Sequence, residues 1–138
     1  METTRDPSDD AFLEAFLACR LPAAAFNHRN HLRVAWIHLQ RFPLDEAIER
    51  TCAGIAQYAT HLGAPGRYHR TITEALIRLM AHAGASDPLR SFDEFLAYAP
   101  AFSGDCRALV AEYYSAAKLS RPGARVFFLS PDRLPLPS

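Results

Sequence analysis

The stretch Phe26-Asn-His-Arg-Asn-His-Leu-Arg-Val-Ala-Trp-Ile-His-Leu39 decides the fold. Leu32, Ala35, Leu39 and Phe42 recur at steps of 3, 4 and 3, and Trp36 widens the same face. That is the period of an amphipathic α-helix, whereas a half-buried strand alternates every second residue. His28 precedes Leu32 by four residues, and His31 precedes Ala35 by four, so both rings share the apolar face. Two imidazoles therefore stand at the head of a helix, on the side turned to the core.

Outward from this helix the chain is divided by proline, which fits a helix's first turn or the gap between helices and breaks an interior. The sequence predicts a first helix over about Asp9–Cys19, with Phe12, Ala15 and Phe16 on one side. The second covers about His28–Phe42. The third runs from Pro43 or Leu44 to Leu62, with Ile48, Cys52 and Ile55 inward and Gly63 as terminator. A fourth spans about Tyr68–Ala83, with Ile72, Leu76 and Met80 inward and Gly84 after it. Ser91-Phe-Asp-Glu94 has the form of a capping box and opens a fifth. A sixth is predicted over about Asp105–Ala117. Arg125-Val-Phe-Phe-Leu-Ser130 is rich in strand formers but has no second strand to pair with, so it reads as a segment packed across the helices, with Phe127 and Phe128 closing the core. The expected class is all-α: a single-domain antiparallel bundle of five to six helices, with residues 1–8 a flexible N-terminus and residues 119–138 an extended tail packed on the bundle.

Composition narrows the function classes. Of 138 residues, 49% are hydrophobic and 22% charged, enough apolar material for one buried core. Lys plus Arg (15) balances Asp plus Glu (15), so the chain lacks the field that draws proteins to nucleic acid or to an anionic membrane. Cys19, Cys52 and Cys106 are odd in number and scattered without a CxxC, which argues for free thiols and a reducing compartment. The polar, acidic first residues do not resemble a signal peptide, and no apolar run is long enough to span a bilayer. A cytoplasmic protein is expected by elimination.

The candidate site lies where helices begin. His69 precedes Ile72 by three, so it too points inward from the start of its helix. Helices two and four are separated by one helix, which puts both N-termini at one end of an up-and-down bundle. His28, His31 and His69 are then expected at that end, with Tyr58 and His61 arriving at the close of the third helix. Burial and the positive end of a helix dipole both disfavour protonated imidazole, so these rings should be neutral and keep a free lone pair. Three neutral histidines match the ligand count of a divalent transition metal, whether Zn, Fe, Ni or Cu, although no carboxylate joins them. Neutral-histidine acid/base chemistry is the other catalytic option, with Tyr68 beside it. Trp36, Tyr58, Thr71, Thr73 and Arg125 are the candidate substrate contacts. Each residue also has a structural reading. An inward histidine commonly donates to a carbonyl, a threonine caps, and the tail's aromatic residues pack.

The pairing of Phe26-Asn-His-Arg-Asn-His-Leu-Arg-Val-Ala-Trp36 with Tyr68-His-Arg-Thr-Ile-Thr73, followed by Tyr113-Tyr-Ser115 and Pro131-Asp132, resembles a family of small uncharacterised bacterial proteins with the patterns F-x-H-x-x-H, A-W and Y-H-x-T-x-T. The resemblance spans about Phe26–Asp132. It implies that these histidines act as a unit, and it attaches no activity. The sequence therefore predicts a small helical protein with a histidine-lined pocket, either an enzyme for a small polar metabolite or a non-catalytic ligand-binding or protein-interaction module with structural histidines. Its expected partners are a small-molecule ligand and, as an option, a second copy in a homodimer, with no nucleic acid and no membrane.

Overall fold

The computed structural model describes residues 7–137, and every regular element in them is helical. The fold is an all-α helical bundle. The flexible N-terminus expected over residues 1–8 falls mostly outside the described residues, and Pro7 and Ser8 open the first helix, α1 (Pro7–Leu17). A 3-10 turn at Ala23–Ala25 leads to α2 (His28–Arg41), and two residues later α3 (Leu44–His61) begins. A second 3-10 turn, Pro65–Arg67, precedes α4 (Arg70–His82). Then come α5 (Phe92–Tyr98), α6 (Cys106–Ala111), α7 (Ala116–Leu119) and a 3-10 turn at Pro122–Arg125. No helix among the described residues is long and apolar enough to cross a membrane.

Local chemistry explains most boundaries. Asn27 caps α2 by accepting the Asn30 N–H at 2.9 Å. Gly63 and Gly84, at φ of +73° and +99°, end α3 and α4 in the left-handed conformation that glycine adopts without strain. Ser91 and Glu94 form the reciprocal capping box expected of α5. The predicted sixth helix breaks in two. Ser115 caps α7 through its hydroxyl and hands its own N–H to Asp132, so the backbone cannot continue from α6.

α3 is the axis of the molecule and packs against α1, α2 and α4, while α4 also meets α2, α6 and the Pro122–Arg125 turn. The main core joins Leu32, Trp36 and Leu39 of α2, Ile48 and Cys52 of α3, Ile77 and Met80 of α4 and Phe92 and Phe95 of α5. A smaller core stacks Phe16, Phe26 and Tyr58 under α1. A third, around Ala75, Val110 and Tyr114, lies beneath the C-terminal segment, with Phe128 and Leu136 on it. Phe127 does not close the core as predicted: it is 68% exposed. Its backbone carbonyl, by contrast, is bonded to Thr71 at 2.8 Å.

Candidate functional site

A cavity of about 300 Å³ opens between the starts of α2 and α4, the middle of α3 and the start of α6. Its walls are largely apolar: Leu32, Ala35, Ile55, Ile72, Leu76, Ile77 and Met80. Its polar lining is His28, His31, Thr51, Arg67, His69, Thr73, Cys106 and Arg107.

The three histidines are held in three different ways. His28, the first helical residue after the Asn27 cap, donates Nε2–H to the Phe102 carbonyl at 2.6 Å, a bond in which Nδ1 takes no part. His69 precedes α4 and caps it, with Nδ1 accepting the Ile72 N–H at 3.2 Å. Its Nε2–H donates to the Leu119 carbonyl at 2.9 Å, so both nitrogens are committed. His31 sits edge-on to the Phe26 ring at 4.4 Å, and the Arg67 guanidinium lies 4.6 Å from the centroid of the same ring. Its Nε2 is buried without a hydrogen-bond partner among the described residues. Burial first, then the nearby His28 and Arg67, lower its pKa to about 4.

These details shape the chemistry. His31 is neutral at pH 7, but a conjugate acid near pH 4 makes it a weak base there, so it serves as a hydrogen-bonding group rather than a proton carrier. His69 can take a metal only by giving up its cap or its carbonyl. Among the described residues no three His, Cys, Asp or Glu side chains are grouped to hold a metal ion. The residues as arranged do not fit a three-histidine metal site. Glu74 is unavailable too. It is buried, with Oε1 bonded to Arg70 at 2.7 Å and Oε2 to Arg78 at 2.8 Å.

Of the other candidate contacts, Thr73 lines the cavity. The rest lie elsewhere. Trp36 does not line this cavity; it packs in the main core, 5.8 Å from the Phe92 ring. Tyr58 is fully buried in the smaller core and donates to the Leu21 carbonyl. The Tyr68 phenol lies beside the Cys52 thiol and Arg70, and burial raises its pKa above the usual phenol range. Thr71 and Arg125, expected to contact substrate, instead fasten the C-terminal segment. The Thr71 hydroxyl is shared between the Ala124 and Phe127 carbonyls, both at 2.8 Å, and accepts the Leu129 N–H at 3.2 Å. The Arg125 guanidinium donates to the Gly66 carbonyl at 2.6 Å. Tyr114 bonds the Leu129 carbonyl at 2.6 Å, and the Asp132 carboxylate takes the Ser115 N–H and O–H at 2.8 and 2.5 Å. Tyr68-His-Arg-Thr, Tyr-Tyr-Ser and Pro-Asp thus meet along one hydrogen-bonded seam.

The sequence offers Arg67 as a charge near the site, although an arginine at a helix start commonly faces water; Thr51, Cys106 and Arg107 also line the cavity and were missed. Arg67 carried a signal: it directly precedes the Tyr68-His69 pair that enters α4. Cys106 and Arg107 arrive because α6 folds back to the histidine end, which no local pattern shows. No family model matches the chain, and no match to it was found among curated proteins or solved structures.

Proposed function

We propose that the protein binds a small organic molecule in the histidine-lined cavity, one with an apolar body and a single hydrogen-bonding or anionic end. The observation that carries this reading is a cavity of about 300 Å³ whose apolar walls converge on a few polar groups, among them a buried, partnerless His31 Nε2. Ligand sites have this make-up, and an unpaired buried nitrogen costs about 1–3 kcal/mol that a ligand atom would recover. The walls favour an apolar body over the small polar metabolite that histidines alone suggest, and the exposed Arg107 with Arg67 suits a carboxylate end. A cytoplasmic setting accords with the three free thiols.

Thermal melts with hexanoate and hexanol test this reading. Hexanoate should raise Tm by several degrees at concentrations well above Kd, hexanol less, and the gain should vanish in His31→Leu and shrink in Arg107→Gln. No shift with either compound in the unmodified protein overturns it. A catalytic version rests on His28, whose Nε2–H bond to Phe102 orients the ring and leaves Nδ1 as the atom to exchange a proton with a ligand. Hydrolysis of p-nitrophenyl hexanoate above the buffer rate, lost in His28→Asn, supports that version. Equal rates for the two proteins leave binding alone.

A further inference from the structure

A second cavity, of about 460 Å³, lies on the other side of α2 and shares no residue with the first. Arg29, Arg33 and Trp36 form an i, i+4, i+7 stripe along one of its walls. The start of α1 and the segment from Pro88 to Glu94 supply the others. Its charges largely cancel. Arg33 is paired with Asp9 at 2.8 Å, and Arg29 with Asp93 at 2.5 Å. Two opposite charges remain without an ion-pair partner among the described residues. The Arg90 guanidinium lies over the Tyr98 ring at 3.7 Å, and Glu94 uses one oxygen to cap α5 at 2.8 Å. A third polar group is unmatched as well: Trp36 is 4% exposed, and its indole N–H, which can only donate, has no acceptor among the described residues.

We infer that this cavity binds a small zwitterion of the free amino-acid class. Its carboxylate accepts from Arg90 and the Trp36 N–H, and its ammonium group meets Glu94. A simple anion satisfies only half of this set, since it leaves Glu94 unmatched and brings a further negative charge beside it. The site stands apart from the histidine cavity and from the function proposed there.

Trp36 is the only tryptophan in the chain, so its emission reports this cavity without a label. The protein is titrated with each of the common free amino acids up to about 10 mM. Aromatic emitters are read through the tryptophan band alone. A saturable emission change is expected for one or more of them, and it should weaken about tenfold or more when the same compound carries an N-acetyl or a carboxamide group. Arg90→Gln and Glu94→Gln should each weaken it by a similar factor. Glutamine preserves the capping box, so the second variant removes charge without unseating α5. Circular dichroism verifies that both variants are folded. The inference fails if no amino acid changes the emission. It fails equally if acetate or inorganic phosphate acts as well as the amino acid, or if Glu94→Gln binds unchanged.

Discussion

The imidazoles of the half-buried His31 and the buried His38 are both kept neutral. Burial is the main cause in each case. His28 and Arg67 add to it at His31, Arg50 and Arg41 add to it at His38, and both pKa values come down to about 4 from 6.5. An unfolded chain binds protons on these imidazoles that the folded chain refuses, so between pH 6.5 and 4 stability rises with pH. The full contribution is present above about pH 6.5 and drains away on acidification, by on the order of 2 kcal/mol per ring at about pH 5. Urea midpoints at about pH 7 and about pH 5 should show this difference, and His31→Gln and His38→Gln should each shrink it. A profile unchanged by both substitutions contradicts neutral, buried rings. His38 also bonds Thr51 at 2.8 Å, so its replacement costs stability at neutral pH as well. Position 71 makes a different point about single residues. Thr71→Val keeps the shape but strands two carbonyls and an N–H, and is expected to cost about 1–3 kcal/mol and to speed proteolysis between Leu119 and Leu129.

The entry to α4 shows best how an element is made and how far it can be read in advance. His69→Ala loses both the cap and the bond to Leu119, whereas His69→Asn restores the cap alone. The alanine variant should therefore be the less stable by about 1 kcal/mol in urea unfolding. Equal stabilities mean that the cap contributes nothing. The helices themselves were legible because their signals are local: the 3–4 spacing of α2, Gly63 and Gly84 past the ends of α3 and α4, and the Ser91–Glu94 box. The start of α4 was read two residues early because His69 lies on the apolar face by spacing yet has extended backbone and caps from outside. Ser115 hid the break between α6 and α7, since its partner, Asp132, is 17 residues away. His28, His31 and His69 all line one cavity, and the order of the helices gives the reason to look for them together. The partners of His28 and His69 are not legible in that way: they are backbone carbonyls 74 and 50 residues distant, and a carbonyl leaves no mark on the sequence.

At the scale of the whole molecule, α2 separates two cavities of contrasting character, one apolar with a few polar groups and one lined by balanced charges. Behind the first, Cys52 is 1% exposed and burial pushes its thiol up to about 11. Since the thiolate is the reactive form, iodoacetamide near neutral pH should label Cys52 only through global opening, at rates that track unfolding as urea is raised. Mass spectrometry of the labelled sites measures this, and Cys52 reacting as fast as the half-buried Cys19 argues against one cooperative unit. The seam over α4 also bears on synthesis. Thr71 waits for acceptors 53 and 56 residues downstream. At a ribosomal pace of about 5–20 residues per second, a nascent chain spends several seconds with that groove unhemmed. Its sticky lining is then within reach of chaperones before the last stitches are sewn.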